Sequence, residues 1–173
     1  MELVNFQTEG LNSSTPYNTY FEETGDKTWD PVDDRVMGGK SQSVFLEEDE
    51  YATFRGKVTK ENFGGFCSIH GPRFDLNLEE YSKFRLTVRG DDIGYRFLAY
   101  TSDRKGSYRA DLPVTEEWSK VEIPFDELYP YKWGWWIPFA SSFDPANFET
   151  LGFQTEYKNT GKFELNIKKI EIV

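Results

Sequence analysis

The chain has 173 residues and a formal net charge of -10, with 30 Asp and Glu against 20 Lys and Arg. One cysteine, Cys67, excludes an internal disulfide framework. The acidic balance argues against nucleic-acid binding, which relies on Lys and Arg to neutralise phosphates.

Taken in chain order, the hydrophobic pattern predicts strands. A short strand around 3–6 comes first. Residues 8–28, rich in Asn, Ser, Thr and Glu, form an insertion before the segment 29–43. That segment is the most distinctive in the chain. It carries Trp29, the acids Asp33 and Asp34, Arg35, Met37 and the pair Gly38 and Gly39 in fifteen residues. Paired glycines allow close backbone approach, and Asp side chains bond to local main chain, so the segment reads as an ordered loop.

Strands are expected at 44–47, 51–58 and 65–70. At 83–89 polar and apolar residues alternate without a break, the period of a strand with one buried face, and Phe84, Leu86 and Val88 should point inward. The strand at 95–101 follows a five-residue turn with glycine at both ends, which suits a hairpin or a neighbouring strand. Further strands are expected at 107–111, 118–123, 151–157 and 162–173. Residues 78–81 and 125–128 have the composition of single helical turns. The long connection 129–150 holds Tyr131, Trp133, Trp135, Trp136 and Phe139, too aromatic for disorder, and is expected to fold back over one end or edge of the sandwich. Nine or ten short strands with few helices define an all-β sandwich, here one domain over 1–173.

Catalytic motifs fail one by one. His70 is the only histidine, no serine stands in a nucleophile elbow, and Cys67 reads as a small core residue. The run Gly38-Gly39-Lys40-Ser41 has the ending of a phosphate loop, but Asp34 stands where its first glycine is required. One Cys and one His make zinc improbable; Asp75, Asp91, Asp92 and Glu171 offer oxygens for calcium but read as turn and strand positions. Asp33 and Asp34 are adjacent and would face opposite ways in an extended chain, against joint acid-base work. No enzyme activity, cofactor or metal is expected.

One constellation is consistent with binding. Outward residues of 83–89 include Arg85 and Arg89, the next strand offers Arg96, and Arg104, Arg109 and Tyr108 lie beyond. If these strands are neighbours, arginines and tyrosines gather on one sheet face able to hold a glycan, an anion or an acidic partner loop. The tryptophans at 133, 135 and 136 either form a stacking platform or plug an open end.

The motifs then resemble a known family. Trp29, 32–34, 36–39, Ser41 and Ser43, followed by 52–56, 62–68, 86–91, 95–97, Trp118 with 121–125, 151–153 and 161–170, occur in the order found in the complex I intermediate-associated protein 30 family. The resemblance implies a galactose-binding-like jelly-roll β-sandwich, related in architecture to carbohydrate-binding modules. It also implies an assembly-factor role: mitochondrial members are chaperones that bind respiratory complex I assembly intermediates. The family defines no catalytic or ligand residue to carry over. The partner is expected to be a protein, held by the 29–43 loop with Asn62, Gly64 and Gly65; the alternative is a glycan on the arginine and tyrosine face. No stretch reaches the roughly 20 apolar residues of a membrane span. The first twenty residues carry neither a signal-peptide core nor a transit-peptide pattern, so the chain as it stands is expected in the cytoplasm, or in the mitochondrial matrix if a presequence has been removed.

Overall fold

A computed structural model describes residues 1–6, 29–133, 135–157 and 159–173. The expected insertion at 8–28 lies outside the described residues. The strands are β1 Glu2–Asn5, β2 Asp30–Pro31, β3 Gln42–Glu47, β4 Ala52–Val58, β5 Ser68–His70, β6 Lys83–Gly90, β7 Tyr95–Thr101, β8 Ser107–Asp111, β9 Ser119–Pro124, β10 Tyr129–Lys132, β11 Trp135–Trp136, β12 Phe148–Thr155 and β13 Gly161–Ile172. They form two antiparallel sheets, a jelly-roll β-sandwich. One sheet runs β3-β4-β13-β6-β9, with β1 added alongside β13; the other runs β11-β10-β8-β7-β12-β5-β2.

Period-two alternation builds the core between the sheets. Phe84, Leu86 and Val88 of β6 are buried, as are Phe97 and Ala99 of β7 and Leu151 and Phe153 of β12. Phe84 sits at the centre, its ring 4.9 Å from Phe97, 5.1 Å from Phe125 and 5.5 Å from Phe148. Aromatic pairs at such distances add to simple area burial.

The β6–β7 connection differs from expectation. It neither closes a hairpin nor joins neighbours: β6 pairs with β13 and β9, whereas β7 pairs with β8 and β12 in the other sheet. Asp91 organises this crossing by accepting from Ile93 N, Tyr95 Oη and Glu164 N, at 3.1, 2.8 and 2.6 Å. A carboxylate bonded to three donors in three segments fixes the corner where the chain changes layers.

The 129–150 connection also carries more structure than its composition suggests. Its first part is the β10–β11 hairpin, which extends the seven-stranded sheet beside β8. Its later part sends Phe143 inward, 5.4 Å from Tyr108 and 5.2 Å from Phe125. Phe143 therefore closes this end of the core, while Trp133, Trp135 and Trp136 stay exposed.

Candidate functional site

The 29–43 segment is built around carboxylates turned inward. Asp34 is fully buried and accepts from Ser41 N and Oγ (3.1 and 2.5 Å), Gly65 N (2.7 Å) and Phe66 N (3.2 Å). Asp33 accepts from Ser43 N and Oγ and from Ser68 N, at 2.8, 2.6 and 3.2 Å. Burial raises the Asp33 pKa, with these hydrogen bonds opposing it. The pair thus tethers the loop to β3 and to the approach to β5.

The glycines follow from this geometry. A Cβ on Gly39 would stand 2.2 Å from an Asp34 carboxylate oxygen, and one on Gly64 2.5 Å from the other. Gly38 has φ +88°, in the left-handed region. Trp29 stacks on Phe45 at 4.7 Å and on Phe153 at 6.1 Å, and packs against the core. Arg35 is exposed, and the bonds to both acids come from backbone N–H and serine hydroxyls rather than from it. The stretch expected as a docking loop is built as a packed corner, with Arg35, Met37 and Lys40 among its outward side chains.

The arginine and tyrosine face does not form as expected, because β6 and β7 lie in different sheets. On the outer face of the six-stranded sheet, Arg85 is paired with Glu122 at 2.8 Å. Arg89 lies over the rings of Tyr51 and Trp118 at 5.4 and 4.8 Å, its Nε donating to Asn166 Oδ1. Tyr108 is not on a surface at all: it is fully buried, with its hydroxyl 3.2 Å from the carbonyls of Ser141 and Ser142.

Arg96 instead finds other company. Register aligns Arg96 with Asp111 on β8 and with Gln154 on β12, and Gln154 with Ser68 on β5; in the next row Leu98 faces Arg109 and Gly152, and Gly152 faces His70. Alternation therefore puts Ser68, His70, Arg96, Leu98, Tyr100, Arg109 and Gln154 on the outer face of the seven-stranded sheet. They floor a cleft of about 590 Å³, walled by Met37, Phe66, Tyr131, Trp133, Trp135 and Tyr157. Trp133 is 89% and Trp135 76% exposed.

Electrostatics in the cleft are one-sided. Burial lowers the Arg109 pKa, and the charge of Arg96 adds to the effect; the guanidinium lies over the Tyr131 ring at 4.8 Å. His70 Nε2 and Tyr100 Oη are 2.6 Å apart, burial lowering the His70 pKa and raising that of Tyr100. Cys67, beneath this face, is fully buried, and burial first, then the Asp33 charge, pushes its thiol far above the usual range. Such a thiol is inert as a nucleophile.

Two further places were singled out by sequence. Asn62 and Phe63 take φ of 54° and 64°, and Phe63 is 91% exposed. Asp75 chelates Arg73 and Asp91 is spent on the layer crossing; among the described residues no three His, Cys, Asp or Glu side chains gather to hold a metal ion. Nor is any helix among them long and apolar enough to cross a membrane. A broader, more open hollow of about 1080 Å³ lies elsewhere, where Arg35, Arg55, Lys57 and Lys162 are interleaved with Asp33, Asp91 and Glu164.

The seven-stranded cleft and its partner sheet define the class of protein. A family 11 carbohydrate-binding module of Clostridium thermocellum superposes with a TM-score of 0.62 at 14% identity, covering 87% of this chain and 95% of that one. A family 30 module from the same organism gives 0.54 at 14% identity, covering 87% and 93%. Part of an agarase gives 0.58 at 8% identity, covering 99% of this chain and 24% of the agarase. At such identities the likeness is one of fold. Within it, the chain belongs to the complex I intermediate-associated protein 30 family, whose model matches residues 19–167. An uncharacterized protein of Schizosaccharomyces pombe is 29% identical over 166 residues, covering 82% of this chain and 76% of the relative.

Proposed function

We propose that this chain is a non-catalytic binding protein of assembly-factor type, which holds a protein partner in the cleft of its seven-stranded sheet. The observation that carries the reading is the combination of that cleft with its exposed aromatic rim, in a member of this family. Large aromatic side chains held out beside a polar floor are the usual anchors of a protein interface. The chemistry of the floor favours recognition: His70 is bonded to Tyr100, and the one thiol is buried away from the cleft surface. The family name points to respiratory complex I assembly intermediates as the partner class, and this would place the protein in the mitochondrial matrix.

Trp133→Ala with Trp135→Ala tests the site. Both side chains are exposed, so the variant should fold as the parent does while losing the protein that the parent captures from native lysate. Undiminished capture overturns the cleft as the docking site. The complex I context is tested separately: deleting the gene should slow assembly of the complex on native gels, and normal assembly would remove that part.

A second reading is favoured by the cleft's aromatic rim and its resemblance in fold to a family 11 module solved with a β-1,3-1,4-mixed-linked tetrasaccharide. Tryptophan and tyrosine faces stack on sugar rings as readily as on peptide groups. Calorimetry against a panel of neutral and acidic oligosaccharides decides it, since absence of heat with all of them removes this reading.

A further inference from the structure

The lining of the cleft runs against the composition of the chain. The protein carries ten more acidic than basic side chains, yet among the described residues that line the cleft two are arginines and none is Asp or Glu. The remaining polar side chains of the lining, Ser68, His70, Tyr100, Ser107 and Gln154 among them, are neutral groups that both donate and accept hydrogen bonds.

The two arginines are poorly matched inside the protein. Arg96 has its nearest carboxylates, Asp111 and Glu156, at 4.0 and 3.9 Å, and both are solvent-exposed. Its Nε is buried with no hydrogen-bond partner. Arg109 spends its Nε on Ser107 Oγ at 3.0 Å and leans on Tyr131. The two are diagonal neighbours across the β7–β8 pair, a spacing of roughly 7–8 Å between backbones that long side chains can close. Two guanidiniums brought together on a half-buried floor repel each other, and an anion seated between them converts that repulsion into charge-assisted, fork-shaped hydrogen bonds.

We propose that Arg96 and Arg109 clamp a carboxylate supplied by an acidic side chain of the protein partner, with aromatic or aliphatic residues on either side of it held by Met37, Tyr131, Trp133 and Trp135. This rests on the protein-binding reading of the same cleft. Three features select a peptide as the source of the carboxylate. Met37, a soft and adaptable side chain, lies on the rim with the tryptophans and suits varied apolar side chains. Among the described residues the β11 strand ends the sheet and pairs with β10 alone, an edge on which an extended segment can add. The two arginines, in a lining free of Asp and Glu and set in an acidic molecule, give complementarity to an acidic segment here.

The test uses the full chain and a phage-displayed library of random peptides. Enriched sequences should carry Asp or Glu flanked by aromatic or aliphatic residues. A synthetic peptide of that kind should lose at least tenfold in affinity by calorimetry when its acid is replaced by the amide, and again when Arg96→Met and Arg109→Met are combined. Arg96→Lys with Arg109→Lys keeps the charge and loses the fork, and should fall between. Thermal melts that match the parent confirm folding of each variant. A library that yields no enrichment, or only uncharged peptides, overturns the proposal, as does binding of a glucuronate-containing tetrasaccharide with no acidic peptide. If partner capture is lost in the Trp133 and Trp135 variant but kept in the arginine variant, the protein-binding reading stands and the carboxylate clamp falls.

Discussion

Asp34 ties two stretches of chain to one carboxylate, accepting from Ser41 and from the adjacent Gly65 and Phe66 while excluded from water. Asp34→Ala would leave those donors buried without an acceptor, each at about 1–3 kcal/mol, so a loss of roughly 3–5 kcal/mol is expected from denaturant midpoints. A loss below about 1 kcal/mol would show that the corner is not anchored there. His70 acts at the same scale with a sign set by its burial. Its folded pKa lies below the ordinary histidine value of about 6.5, so the unfolded chain binds more protons between the two values. The stabilising contribution is therefore fully present above 6.5 and is lost as pH falls through that window. His70→Gln should flatten this part of a stability profile measured between pH 5 and 8; parallel profiles for the two proteins would contradict it. Most of this was hidden in the sequence. Asp33 and Asp34 stood out as a pair, but which donors they meet depends on Gly65 and Ser68, more than thirty positions away.

Elements explain why the aromatic residues divide as they do. The β10–β11 hairpin and the turn at 62–63 each hold one bulky residue in the left-handed region, Trp133 at φ 51° and Phe63 at φ 64°. Residues other than glycine pay about 1–3 kcal/mol for sparsely populated backbone. Phe63→Asn should relax that strain, because Asn tolerates this conformation, and raise the melting temperature by about 2–4 °C; a lower melting temperature would mean that the exposed ring is packing after all. By contrast Trp133→Ala with Trp135→Ala should alter stability by no more than about 0.5 kcal/mol, as expected for exposed positions. The strand periodicity of 83–89 and 95–101 could be read directly, and with it which side chains face the core. The separation of Arg85 and Arg89 from Arg96 could not, since a five-residue turn serves equally for a hairpin and for a change of layer. The outward series Arg96, Leu98 and Tyr100 was present in the alternation, and with Ser68 and His70 it was the available signal for the cleft.

At the scale of the molecule, the two sheets share one hydrophobic core. Unfolding is accordingly expected as a single transition, with tryptophan fluorescence and far-ultraviolet circular dichroism changing together. Phe84→Ala, which removes the ring at the centre of that core, should cost about 3–5 kcal/mol and shift both signals equally. Separate midpoints would mean that the sheets fold as independent units. Charge is also organised at this scale. The acidic excess spread through the chain is absent from the cleft, which holds the arginines where the outer face of the other sheet pairs or stacks its own.

The sequence alone determined the fold class, the inward faces of the strands and the family, because local alternation and ordered short motifs are properties of neighbouring residues. It also marked Asp33, Asp34 and the glycines as a unit, since their spacing is local. Tertiary structure decided which residues share the cleft. Strand order assigns β6 and β7 to opposite layers, buries Tyr108, and assembles Arg96, Arg109, His70 and Gln154 from four strands that are distant in sequence. Pairing between strands is set by long-range packing of a shared core, and no run of adjacent residues encodes it.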